Sequence, residues 1–523
     1  MNNPFTRRGL RVGIAAVAAA TVATLGLALP ASAAPLIDPD QVGSITVHKF
    51  ETPEPLGGNN GGNNGNNGNN GNGNNGGGGN NGNALSGTGQ PGDGALTDTT
   101  GLTPLPGVTF QVQQVNTIDL STNAGWAEAS ALSGVFDAAD AENSITGAGY
   151  TLGAGSSQVT NAAGEAAFTG LPVGLYLVQE TGYPAGVTPA APFLITVPLT
   201  DPNNQNAWLY DVHVYPKNAV TAAEKTVTDS ASIQLGDIVT WTITADIPNV
   251  ATIDGFKIVD PLDAKLDLMS TTVELSGGRV LLPADYTVTF DEATNTVTVE
   301  FTAAGLLKLA ANSDVSVVVT LDTAVNTIGE ISNQALIYPN AASFDIAPGQ
   351  PGGPVVTNSP ETKWGAFTIK KTDGTNTLQG AQFQVFTSAA DAAAQTNPVE
   401  LGGQTTFDVD AEGGLTLYGL RYSDFANNQT VAAGEAGFIQ YFLVETKAPD
   451  GFELLAEPIE FAVTAATTAA GVDLEVVNVP SNAGFILPIT GGTGTGLLYL
   501  VGFALITGGA IFMIVTRRRK QEA

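Results

Sequence analysis

The sequence predicts an all-β protein built of three tandem β-sandwiches, and three observations lead there. Sustained helical periodicity is scarce, while short runs rich in Thr, Val and Ile alternate apolar with polar positions between Gly, Pro and Asn turn signals. Roughly 450 residues separate the two processed ends, which at about 150 residues per domain is room for three. Two parts of the chain also repeat each other's motifs in the same order.

The repeat defines the first and third sandwiches. LPGVTFQV (105–112) and LQGAQFQV (378–385) share the pattern L-x-G-x-x-F-Q-V. GEAAFTGL (164–171) matches GGLTLYGL (413–420) more loosely, and YLVQETGYPAG (176–186) matches FLVETKAPDG (442–451) around a Glu-Thr pair. The first domain is placed at 34–218 and the third at 363–486. Between them, 219–362 lacks these marks but has strand-like runs of its own, such as DIVTWTITADIP (237–248), and is read as a sandwich of another subtype. The Gly/Pro-rich stretch 347–354 is a loop near its end. The tract 57–83, almost wholly Gly and Asn, cannot bury a core and is expected to be a disordered insertion between the first two strands of the first domain.

The ends predict where the protein resides. Arg7, Arg8 and Arg11 precede an apolar run over 12–29 and the small-residue segment ASAAP, the pattern of a secretory signal peptide over 1–33. An uncharged apolar run over 497–516 is long enough to cross a bilayer as a helix, and Arg517, Arg518, Arg519 and Lys520 behind it would stay cytoplasmic. Just before this run stands LPITGG (487–492). Leu-Pro-x-Thr-Gly, an apolar span and a basic tail together resemble the cell-wall sorting signal of Gram-positive surface proteins, so 487–523 is read as that signal. The resemblance implies recognition through Leu487 and Pro488, sortase cleavage between Thr490 and Gly491, transient retention in the membrane, and a Thr490 carbonyl held as a thioester.

Composition narrows the function. With 49 acidic against 19 basic residues the formal net charge is −30, opposite to the basic footprint that nucleic-acid binding requires. Cysteine is absent, so an exported chain carries no disulfide staples. Only His48 and His213 could serve a His-based centre. Both are out of phase with the apolar strand positions and are expected to face solvent. No P-loop, catalytic loop or EF-hand-like spacing occurs, so no cofactor or metal is assigned and no enzymatic activity is expected.

Strand parity singles out three trios. Lys49 shares a face with Ile45 and Val47, Lys225 with Val227, and Lys371 with Phe367 and Ile369. An ammonium on an apolar face is costly unless it is paired or neutralised. Glu180 is in phase with Tyr176 and Val178, Asp260 with Phe256 and Ile258, and Glu445 with Tyr441 and Leu443. Asn218 follows Val212 and Val214, Asn333 shares parity with Ile331 and Ala335, and Asn478 with Leu474 and Val476. Each domain thus offers an inward Lys, acid and Asn in the same chain order. Adjacent Lys370 competes with Lys371, and parity favours Lys371.

WLYDVHVYPK (208–217) fits the pattern W-x-x-x-V-x-V-Y-P-K. With the trios and the sorting signal, it makes the chain resemble the backbone (shaft) pilins of Gram-positive bacteria, of the SpaA-like type assembled by class C sortases. That resemblance implies immunoglobulin-like sandwiches of the CnaB and CnaA collagen-adhesin types. It implies Lys–Asn isopeptide bonds joining Lys49 to Asn218, Lys225 to Asn333 and Lys371 to Asn478, assisted by Glu180, Asp260 and Glu445. It also implies an outward Lys217, presented by Trp208, Tyr215 and Pro216, that attacks the Thr490 acyl-enzyme of another subunit. The partners implied are a class C pilus sortase and a housekeeping sortase, identical subunits head to tail, minor tip and base pilins, peptidoglycan, and a host-surface ligand through which the pilus would support adhesion. The alternative is a monomeric wall-anchored adhesin of similar domains, which has no need of the lysine motif.

Overall fold

The computed structural model describes residues 37–53, 99–201, 204 and 206–481. The expected signal peptide, the Gly/Asn tract, Leu487, Pro488, Thr490, Gly491 and the apolar span lie outside them. Among the described residues no helix is long and apolar enough to cross a membrane.

The chain is mostly strand, gathered around successive apolar cores. In the first part, the opening strand Val42–His48 pairs antiparallel with Glu165–Pro172 and parallel with Asp211–Val214. Phe50–Glu51 then pairs in parallel with Lys217–Val220, so the first and last strands of this part lie side by side. The facing sheet runs Ser156–Val159, Thr109–Val115, Gly174–Gly182, Phe193–Val197. Alternate residues from both layers, among them Ile45, Val47, Phe110, Phe168, Tyr176 and Val178, fill the space between.

The helix Asn123–Val135 was not anticipated. Its sequence is rich in Ala, Ser and Gly and shows only a weak apolar stripe. The Thr122 hydroxyl caps it by accepting the Gly125 N–H, and Ala129 and Leu132 join a small core with Leu175 and Leu177. Packing against the sheet supplies what the local pattern lacks.

In the middle part a four-stranded sheet (Ala223–Thr228, Ile238–Asp246, Ser316–Val325, Leu266–Leu275) faces a five-stranded one (Tyr286–Asp291, Thr296–Phe301, Lys257–Pro261, Leu336–Tyr338, Val355–Val356). Trp241, Ile243, Phe256, Val299 and Val319 lie in its core. In the last part Leu474–Val477 runs parallel to Glu361–Thr372, again setting first and last strands together. The opposing sheet holds Gln382–Phe386 and Tyr441–Lys447.

The strand Glu361–Thr372 runs through the boundary expected at 362/363. Its start pairs with Gly329–Ser332, and Trp364 packs into the middle core. The buried Arg421 strengthens this joint by donating from Nε to the Ser232 carbonyl at 2.9 Å, while Asp229 accepts the Thr362 hydroxyl at 2.6 Å and the Asn427 N–H at 2.6 Å. At the other joint the loop 347–354 docks on the first part: the Gly352 N–H donates to Tyr183 O at 2.7 Å and the Gly186 N–H to Gly353 O at 3.0 Å.

Candidate functional site

Each lysine of the three trios is seated by strand geometry before its side chain does anything. The Lys49 N–H donates to Gly164 O at 2.7 Å, and the Leu105 N–H donates to Lys49 O at 3.0 Å. In the third part the Lys371 N–H donates to Gly413 O at 2.7 Å, and the Leu378 N–H to Lys371 O at 2.9 Å. These four partners come from the repeated sequence motifs. Gly164 and Gly413 are required here: both have positive φ, and a Cβ would meet the lysine carbonyl oxygen at 2.3 Å and 2.8 Å. The motif phenylalanine has a role as well, for the Lys49 amine lies 5.7 Å from the Phe110 ring centroid and the Lys371 amine 5.6 Å from that of Phe383. Trp241 stands in the same relation to Lys225, at 5.5 Å. Sequence reasoning missed these aromatics, although two of them recur in L-x-G-x-x-F-Q-V.

The structure brings the members of each trio into one buried site. Lys49 Nζ donates to Glu180 Oε1 at 2.7 Å and to Asn218 Oδ1 at 2.5 Å, and Asn218 Nδ2 donates to Glu180 Oε2 at 2.7 Å. Lys371 Nζ donates to Asn478 Oδ1 and lies 3.1 Å from Glu445 Oε1, while Asn478 Nδ2 donates to both carboxylate oxygens at 3.0 Å and 2.9 Å. The Leu455 N–H fixes Glu445 from behind at 2.9 Å. Lys370, the competing amine, is exposed.

In the middle part Lys225 Nζ donates to Asp260 Oδ2. Asn333 is close enough to act on the Asp260 carboxyl, yet neither its Nδ2 nor its Oδ1 has a hydrogen-bond partner, and Asp260 Oδ1 has none either. Three orphaned polar atoms in one buried site are uncommon and costly.

Burial dominates the electrostatics. Desolvation pulls the Lys49 and Lys225 amines down to about 8 against the opposing pull of Glu180 and Asp260, and it lowers Lys371 against Glu445. Asp260 is pushed up by burial, more than Lys225 and Asn333 pull it down. At Lys49 and Lys371 a fully buried amine with a reduced proton affinity is held against an amide carbonyl, the arrangement of a poised nucleophile.

The WLYDVHVYPK segment ends in two short strands, Asp211–Val214 and Lys217–Val220, separated by Tyr215 and Pro216. Pro216 has no N–H for the ladder, but its carbonyl accepts the Phe50 N–H at 3.2 Å. Asn218 is buried and Lys217 half-buried, with its amine shifted down by desolvation. Beside it an open apolar groove of about 850 Å³ is lined by Val214, Tyr215 and Pro216 on one side and by Trp126, Phe193 and Ile195 elsewhere. Trp208 stacks on Trp126 at 5.8 Å between centroids, tying the start of the motif to the helix.

His48 differs from expectation, while His213 is partly exposed. His48 is buried, its Nε2 lies 2.9 Å from His213 Nδ1, and its ring stacks on Tyr215 with centroids 4.9 Å apart. Out-of-phase positions face solvent only where nothing covers that face of the sheet; here the rings of Tyr215 and His213, from the neighbouring parallel strand and its end, cover His48. Among the described residues no group of three or more His, Asp or Glu is placed to hold a metal ion.

Sandwiches in tandem, each with a buried Lys–acid–Asn site, define a multi-domain all-β protein. Three family models match consecutive parts of the chain: the N-terminal domain of Gram-positive pilin subunit D1 over 40–219, the Sgo0707 N2 domain over 219–343, and a prealbumin-like fold domain over 365–477. The chain is 33% identical to fimbrial subunit type 1 of Actinomyces viscosus over 99% of both chains. Among solved structures, it resembles the full-length major pilin SpaD of Corynebacterium diphtheriae, with 29% identity, a TM-score of 0.63, and coverage of 85% of this chain and 98% of that one. The major pilin SpaA of the same organism, described as pointing to a modular pilus assembly with stabilizing isopeptide bonds, is 25% identical over 84% of this chain and 100% of that one, with a TM-score of 0.57. The chain belongs to the Gram-positive fimbrial subunits and is a SpaA-like pilin. It is a structural subunit of a pilus shaft displayed at the cell surface, and its neighbours in that shaft are copies of itself.

Proposed function

We propose that this pilin polymerises covalently, the Lys217 amine of one subunit taking the Thr490 acyl group of the next from a class C sortase, and that each trio closes into an isopeptide bond. The observation that carries the reading is the adjacent pair Lys217 and Asn218, one half-buried beside an open groove and the other locked into a trio. One strand end would then serve both linkages. Partial desolvation leaves more of the Lys217 amine neutral, as an acyl acceptor requires, and the groove leaves room for the acyl-enzyme to approach.

In each trio the neutral lysine Nζ attacks the asparagine Cγ, the neighbouring acid carries the amine proton to Nδ2, and ammonia leaves. The orphaned atoms around Asn333 favour this, since closure expels its Nδ2. In the first and last parts the bond would tie neighbouring parallel first and last strands, so pulling force bypasses the rest of the fold. Division into domains at 34–218, 219–362 and 363–486 is part of the same reading, as are signal-peptide removal, transient membrane retention, final attachment to peptidoglycan by a housekeeping sortase, and minor tip and base pilins.

Lys217→Ala tests the polymer. It is expected to abolish the detergent-resistant high-mass ladder on the wall while the monomer is still folded, exported and processed, because loss of one partly exposed charge costs little stability. A ladder persisting in this variant contradicts the assignment, and no ladder in the wild type beside a pilus-type sortase favours the monomeric adhesin.

A further inference from the structure

The three asparagine carbonyls are not equally prepared. Asn478 Oδ1 receives the Lys371 amine, and Asn333 Oδ1 has no partner. Asn218 Oδ1 receives the Lys49 amine and, in addition, the backbone N–H of Ala190 at 2.6 Å. We infer that the Ala190 N–H is the oxyanion donor of the N-terminal crosslink, a catalytic group that acts on the carbonyl under attack; this rests on the isopeptide reading of that trio.

The local chain explains why this N–H is available. Val187–Thr188 pairs antiparallel with Ala219 and Val220, immediately after Asn218. Pro189 has no N–H and ends the ladder, so the Ala190 N–H is released from backbone pairing and meets the side-chain carbonyl instead. The segment is also clamped by the middle part of the chain. Asn340 Nδ2 donates to Val187 O at 3.3 Å and to Thr188 Oγ1 at 3.1 Å, and Gly353 O accepts the Gly186 N–H. A donor held this way needs no reorganisation as charge develops.

The step balances without a co-reactant. The Lys49 nitrogen forms a bond to Asn218 Cγ, and the carbonyl electron pair moves onto Oδ1, where Ala190 N–H stabilises it. Glu180, which touches both nitrogens, passes the amine proton to Nδ2. The oxyanion collapses, the Cγ–Nδ2 bond breaks and ammonia departs.

The test follows loss of ammonia at the 49/218 and 371/478 sites by peptide mass spectrometry, in full chain freshly made by cell-free synthesis. Ala190→Pro removes the N–H and is expected to slow the Lys49–Asn218 bond about 10²-fold, the usual cost of one oxyanion donor. The Lys371–Asn478 bond of the same molecule should form at the wild-type rate. Ala190→Gly, which keeps the N–H, should remain close to wild type. A backbone ester at position 190 removes the N–H without a proline ring and should reproduce the slowing, which separates donor loss from misfolding. A wild-type rate in the ester variant overturns the donor role while leaving the isopeptide reading intact, and absence of the Lys49–Asn218 bond from the wild type overturns both.

Discussion

Glu445→Gln keeps the size of the side chain but removes the group that moves the proton between Lys371 and Asn478. The crosslink these two would form closes a loop with a sequence separation of 107 residues. In the chain-entropy treatment, tying such a loop stabilises the folded state by about 5 kcal/mol. For a domain of this size, at about 4 °C per kcal/mol, that is a fall of about 20 °C in the melting of the C-terminal part. A buried Lys371 left beside a neutral amide pushes in the same direction. Scanning calorimetry of the purified ectodomain, read with its intact mass, is the assay. The variant should regain the mass of one ammonia, and only the C-terminal transition should fall. If the ammonia is still lost, Glu445 is not the proton carrier; if the bond is absent but melting moves by only a few degrees, the crosslink does not hold this fold.

Bond formation at Lys49 and Lys225 should accelerate about tenfold per pH unit below about 8 and level off above it, because the neutral amine is the nucleophile and burial has lowered both amines to about 8; a flat profile contradicts a deprotonation-limited step. Asn218→Ala should leave the polymer ladder intact but make the N-terminal part sensitive to heat and protease by about 5 kcal/mol, the value for a closed loop with a separation of 169 residues. Loss of the ladder in that variant would mean that the inner bond is needed to present Lys217. Lys217→Arg should fail to polymerise as completely as Lys217→Ala, since a guanidinium stays protonated and is a poor acyl acceptor, and a normal ladder from it would show that another residue is the acceptor.

Much of the site was legible because a strand has a strict period of two. A lysine in phase with Ile45 and Val47, or with Phe367 and Ile369, has to point inward whatever the rest of the fold does. The sandwich cores were legible for the same reason. What escaped was set by parts of the chain distant in sequence. The burial of His48 depends on the Tyr215 ring stacking on it from the end of the adjoining parallel strand. The helix Asn123–Val135 is stabilised by Leu175 and Leu177 rather than by its own pattern. The strand Glu361–Thr372 serves two cores because a bulge at Gly365/Ala366 switches its inward positions from Trp364, in the middle core, to Phe367 and Ile369, in the last, without a turn that would mark the boundary. The Ala190 N–H could not be read at all, since it depends on where a proline ends one ladder beside another strand. The aromatic beside each amine was readable in part, as the repeated phenylalanine.

The central claim is that Lys217 of one subunit is joined to Thr490 of the next, and the most direct measurement is tandem mass spectrometry of tryptic peptides from pili stripped from the wall. The account predicts a branched peptide in which the Thr490 carboxyl is amide-linked to the Lys217 Nζ, with Gly491 and everything after it missing. A branch mapped to another lysine, or shaft protein that retains the span over 497–516, would contradict it.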